Sequence, residues 1–205
     1  MTQPSHRTPP HDLVTQLDAA DPNARALALA GLVGQGTAAT AALVAALPQA
    51  CATTRAQIAQ ALAEIADPGS AEALAGLLAD ADPLVRGRGA QGLARLNDPR
   101  AAQALAHTIN DLPDELHGPY TVAVFMLIQR GEAALPLVTP LLGAADAPTR
   151  TRAALVVRDV LQQSRGKPAW QVLTDRLGDL DPQRADGVEP EVARRWQAWL
   201  VAGAR

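Results

Sequence analysis

Side chains able to do chemistry are sparse in this chain and fall in three places. His107 and Asp111 stand four residues apart, and Asp114 and His117 follow in the turn "LPDELHGPY". Imidazole and carboxylate at that spacing could share a divalent metal, but the same residue types are far commoner as the solvated end of a helix. No metal is expected there. Cys51 is the single cysteine, so it has no internal disulfide partner, and no Cys/His zinc spacing surrounds it. Asp159 lies beside Arg158 and follows Arg152, a carboxylate among guanidinium groups. The chain has no glycine-rich phosphate loop, no Gly-x-Ser-x-Gly elbow and no His-Glu-x-x-His. The expectation is a protein that binds rather than catalyses, without a cofactor.

The elements that must carry these residues are helical. Of 205 residues 48% are hydrophobic and only 2% aromatic, so the apolar content is almost entirely Ala, Leu and Val. Ala and Leu lead the helix-propensity scale, and a core this thin favours closely packed helices. The net charge of -3 provides no positive field for phosphate backbones, so nucleic acid is not expected as a partner. The basic residues are nearly all Arg, with Lys167 the only lysine, and Arg suits fixed, bidentate carboxylate pairs. No apolar run suggests a bilayer span of about 18 residues. The opening "MTQPSHRTPP", residues 1–10, reads as a flexible polar tail, and residues 11–205 as one repeat domain in the cytoplasm, monomeric or weakly dimeric.

A period of about thirty-one residues organises the chain. Asp82 and Arg86 in "DPLVRGRGAQGLARLNDPR" recur as Asp21 and Arg25, and as Asp146 and Arg150. Two degenerate copies lie between them: Arg55 with Cys51 at the Asp position, and Asp114 with Gly118 at the Arg position. The five Arg-equivalent positions are spaced 30, 31, 32 and 32 residues apart. Ahead of each comes a short apolar pattern, such as "TAATAALVAAL" or "SAEALAGLLAD", with Leu and Ala at helical spacing. A sixth pair closes the array with a capping helix over 190–202, after an irregular loop near 179–190. Trp196 and Trp199 are expected to seal that end.

Asp82 is a good N-cap and Pro83 a good first helical residue, since the carboxylate accepts an orphan N–H and proline has none to pair. Arg86, one turn in, is expected to reach carboxylates or carbonyls in the neighbouring repeat's loop. Asp21, Arg25, Arg55, Asp82, Arg86, Asp114, Asp146 and Arg150 would thus form a structural ladder. Gly87, Gly89 and Gly92 imply close backbone approach, and Pro136 and Pro140 predict a break in the first helix of the fifth repeat.

The stretch 62–106, with Asp82, Val85, Arg86, Ala90 and Leu93, resembles the HEAT-repeat superfamily, specifically the short HEAT-like repeats of phycobilisome lyases. The likeness extends to 11–34 and 146–163. It implies an all-α, right-handed α-solenoid of about six two-helix repeats whose second helices line the concave face. Positions two, five and nine residues after each Arg would then share that face: Gln57, Gln60 and Glu64; Arg88, Gln91 and Arg95; Tyr120, Ala123 and Leu127; Arg152, Leu155 and Asp159. Gln, Arg and one Tyr suit a groove for a protein or peptide partner. The family also contains bilin-lyase subunits, the alternative reading, and DNA glycosylases, which would need a basic, aromatic-lined face. A self-associating chain would use the apolar face of the first repeat, Leu27, Leu29 and Val33.

Overall fold

The computed structural model describes residues 8–113, 119–180 and 188–203. Among these residues the chain is helical apart from turns and a single antiparallel bridge between Pro113 and Thr121. The helices gather into two compact units, Met1–Asp98 and Pro99–Arg205.

In the first unit α1 (Pro10–Gln16) pairs with α2 (Pro22–Gln35), α3 (Thr40–Ala46) with α4 (Ala52–Ile65), and α5 (Ala71–Gly76) with α6 (Pro83–Arg95). Second helices stack on one another, α2 on α4 on α6, and α1 packs on α3. Leu17, Leu32, Leu43, Ile58, Leu62, Leu74 and Leu93 are fully buried between these layers. The first helices are short: α3 and α5 each run into 3-10 turns on both sides, at Gly36–Ala39, Leu47–Gln49, Pro68–Ser70 and Leu77–Ala79. The layers approach closely where the sequence is glycine-rich. A Cβ on Gly89 would lie 2.9 Å from the Leu74 carbonyl oxygen, and one on Gly92 2.7 Å from a Leu74 methyl.

By length and composition the helical stretch Pro22–Gln49 is apolar enough to cross a membrane, a property that the residue pattern alone did not suggest. Gly36, at φ 62°, breaks it into α2 and α3, and both pack on α1 and α4.

In the second unit α7 (Ala101–His107) pairs with α8 (Val122–Gln129), α9 (Leu135–Val138) with α10 (Ala147–Arg165), and α11 (Lys167–Leu177) with α12 (Pro190–Val201). The proline break appears as expected: α9 is one turn between 3-10 segments Gly131–Ala134 and Thr139–Gly143. The final pair departs from the stacking rule, because α11 packs on α10 while α12 lies on Thr139–Gly143 and α9. Gln197 on α12 donates to the carbonyls of Thr139 and Pro140, at 3.0 and 3.2 Å, satisfying backbone oxygens that the broken helix leaves open. Trp196 is fully buried, stacks on Trp170 at 5.0 Å and meets Trp199 edge-on at 5.8 Å. Its indole N–H donates to the Gly178 carbonyl at 2.9 Å, so this large buried ring leaves no polar atom unpaired.

The fourth repeat corrects the register expected from the period. Its second helix begins at Val122, capped by Thr121, rather than after Asp114. Asp114, Gly118 and His117 lie outside the described residues. Phe125, four residues beyond the cap, therefore stands where other repeats carry Arg, and Tyr120 precedes the helix instead of riding on it. Ala123 and Leu127, placed on the open face by the period, are buried at 4% and 0% exposure.

Candidate functional site

The inter-helix signal works through backbone carbonyls. Asp21, Asp82 and Asp146 cap α2, α6 and α10, accepting from the N–H groups of Asn23, Leu84 and Thr149 at 2.8–3.0 Å. The Arg one turn later folds back over the start of its own helix. Arg25 donates to the carbonyls of Ala19 and Ala20, Arg86 to those of Asp80 and Ala81, and Arg150 to those of Ala144 and Ala145. One guanidinium nitrogen thus serves two loop carbonyls that have left helical geometry and lack an intrahelical donor. For Arg25 and Arg150 the expected reach into a neighbouring repeat is corrected, because the loop each one closes is its own; Arg86 closes its own loop in the same way.

Arg55 does reach a neighbour. It donates to Ala50 in its own loop at 2.8 Å and also to both carboxylate oxygens of Asp80, at 2.6 and 2.9 Å. Asp80 accepts the Asp82 N–H as well, so one side chain ties α4 to the entrance of α6. The Arg55 hydrogen bonds foremost, and the Asp82 N–H after them, hold Asp80 below the usual carboxylate range against the opposing effect of burial. Cys51 gives α4 no side-chain cap. Asp18, from the preceding loop, supplies a carboxylate instead, accepting from Thr54 at 3.2 Å and from the Cys51 thiol at 3.6 Å. The period marked neither Asp18 nor Asp80. The doubled acids in "LDAADP" and "LADADP" were the available signal.

Of the nine polar residues expected on a binding face, six lie on α4 and α6 of the first unit. Gln60 donates to Glu64 at 2.9 Å, and Arg88 donates to the side-chain oxygen of Gln91 at 2.9 Å. Gln57, Gln60, Arg88 and Gln91 are half-buried, while Glu64 and Arg95 are exposed. Burial lowers the Arg88 pKa and nearby Arg95 adds to this, with Glu64 acting in the opposite sense.

The other three are hydrogen-bonded within the second unit, Tyr120 and Asp159 in one closed network and Arg152 in a separate set of bonds. Tyr120 donates to Asp159 at 3.0 Å, and Arg158 donates to Asp159 at 2.8 Å and to the Tyr120 hydroxyl at 3.0 Å. The Tyr120 ring stacks on Phe125 at 4.9 Å. Arg152 donates to the Pro119 carbonyl at 3.0 Å and to Asn110 at 2.7 Å, and Asn110 donates onward to Thr149 at 2.6 Å. These bonds pin the connection between α7 and α8 onto α10. Arg158, the centre of the network, was not among the residues the periodic columns selected. A half-open apolar cavity of about 410 Å³, lined by Leu135, Pro136, Pro140, Leu200 and Val201, lies elsewhere in this unit.

His107 is exposed and Asp111 buried, and among the described residues no group of three or more His, Cys, Asp or Glu could hold a metal ion.

Residues 40–116 match the family model of HEAT repeats. The HEAT-type repeat read from the sequence is therefore present in that segment, and the fold is all-α helical-repeat. No curated protein matches the chain. Among solved structures it is similar to the complex of CpcE and CpcF of phycocyanin lyase from Nostoc sp. PCC7120, with 25% identity, TM-score 0.48, and coverage of 91% of this chain and 79% of that one. It is also similar to a designed armadillo repeat protein in complex with the peptide (KR)4, with 20% identity, TM-score 0.45, and coverage of 95% and 99%.

Proposed function

We propose that this chain is a helical-repeat scaffold that binds a protein or peptide along α4 and α6, through Gln57, Gln60, Glu64, Arg88, Gln91 and Arg95. The observation that carries the reading is the environment of Arg88. Its guanidinium is half-buried, yet its hydrogen bond goes to a neutral amide. A buried cation is ordinarily paired, and a desolvated Arg beside Gln side chains is what a polar recognition surface presents. Tyr120, Arg152 and Asp159 are engaged within their own unit, so they serve its architecture in this reading. The repeats supply rigidity and the chain performs no reaction of its own.

Affinity capture from the source cell's lysate tests the reading, with wild type compared against Arg88→Glu/Arg95→Glu at matched helicity. A protein retained by wild type and lost from the variant is the expected result. Identical retention by both would exclude this surface as the binding face. A visible absorption band from co-purified bilin would point instead to a lyase-subunit role.

A further inference from the structure

The surface on α4 and α6 also carries information about what it binds. Among the described residues neither Arg88 nor Arg95 takes part in an ion pair, whereas Arg55 and Arg158 each hold a carboxylate. Glu64, the acid on the same surface, accepts from Gln60 on its own helix. Arg88 and Arg95 stand seven residues apart on α6, two turns along one face, so their origins are separated by about 10 Å. Gln91, between them on that face, is half-buried, while Gly89 and Gly92 lie on the side of α6 packed against Leu74.

We infer that the partner is an acidic peptide segment, bound extended along α6, with one carboxylate at Arg88 and a second at Arg95. This rests on the scaffold reading above and gives it a ligand chemistry. The charge balance supports it: two guanidinium groups and one carboxylate leave this surface positive in a chain whose net charge is -3. The spacing supports it too. An extended chain of polyproline-II type has three residues per turn and rises about 3.1 Å per residue, so side chains three apart share an edge about 9 Å apart. The matching motif is therefore Asp or Glu, two intervening residues, then Asp or Glu. A carboxylate at Arg88 replaces a neutral partner by a charged one, and bidentate pairing fixes the register. Gln57 and Gln60 lie beside that track, where side-chain amides can bond to a peptide backbone.

The test is selection of a random 12-residue peptide display library on the full chain, run in parallel on wild type, Arg88→Glu/Arg95→Glu and Arg88→Gln/Arg95→Gln. Circular dichroism would establish equal helicity. Expected is at least a three-fold excess of Asp and Glu in peptides selected by wild type, concentrated at positions three apart. That excess should be lost with the Gln pair and replaced by Lys and Arg with the Glu pair. The peptide enriched most by wild type should bind the Gln pair at least ten-fold more weakly. Peptides without acidic excess that still require Arg88 and Arg95 would overturn the acidic partner while leaving the scaffold reading standing. Peptides selected equally by all three proteins, or no enrichment by any, would overturn both.

Discussion

Arg55 and Asp80 are joined by two parallel hydrogen bonds, 2.6 and 2.9 Å long, between α4 and the loop that opens α6. The Asp80 side chain is only 10% exposed and that of Arg55 26%, so the pair is shielded from solvent screening. The Arg55 bonds depress the Asp80 pKa, so the stabilisation they give is complete above its unfolded value and disappears as pH falls through the folded one. Asp80→Asn should cost about 1.5–3 kcal/mol at pH 7. Urea unfolding of wild type should weaken more steeply below about pH 4 than that of the variant, and the two should converge in acid. Parallel curves would show that the pair contributes little.

Asp18 occupies the carboxylate role that Cys51 leaves open, which gives a signed prediction. Cys51→Asp alone places a second carboxylate beside Asp18 and should gain nothing, despite supplying the preferred N-cap residue. Combined with Asp18→Asn it should recover about 1 kcal/mol, the ordinary value of an Asp cap. A double-mutant cycle by chemical denaturation measures the coupling. Equal gains in both backgrounds would show that Asp18 does not serve this helix end.

Tyr120 is the only tyrosine in the chain, so tyrosinate absorbance reports it alone. Burial and then Asp159 raise its pKa, while Arg158 opposes them. Its ionisation midpoint should lie above the ordinary value of about 10. Asp159→Asn should lower that midpoint and Arg158→Gln raise it. Identical midpoints in the three proteins would mean that the network opens in solution.

Two glycine substitutions should have opposite signs. Gly34 lies on α2, and a Cβ there would meet nothing within 4 Å, so Gly34→Ala should stabilise by about 0.5–1 kcal/mol. Gly89→Ala would press a methyl against backbone, 2.9 Å from the Leu74 carbonyl oxygen, and should cost about 1–3 kcal/mol. Thermal melts of the two variants test whether α5 and α6 approach as closely as described.

The repeat was legible because its signals are local. An Asp cap, a Pro at the helix start and an Arg one turn on are set by the chemistry of one helix end, and they located α2, α6 and α10 within a residue or two. The fourth repeat was not legible, because Thr121 caps α8 through tertiary bonds as well. Its hydroxyl accepts from the Val124 N–H and donates to the Ile109 carbonyl, twelve residues back. Counting forward from Arg86 could not reveal that connection, and Tyr120 was therefore placed on a helix it precedes. The pairing of Arg55 with Asp80 was hidden for a related reason: two acids stand in "LADADP", and only the fold separates the cap from the clamp. The placement of α12 beside α9 was equally out of reach, since it depends on how Trp196 and Gln197 meet surfaces far away in sequence.

The most direct test of peptide binding on α4 and α6 is to follow backbone amides and arginine Nε–H groups by NMR while the peptide selected most strongly is titrated in. Shifts are expected at Arg88 and Arg95 and along α4 and α6, with Tyr120 and Arg158 unmoved. Shifts confined to the second unit, or to the exposed Leu27 face of α2, would contradict binding at that surface.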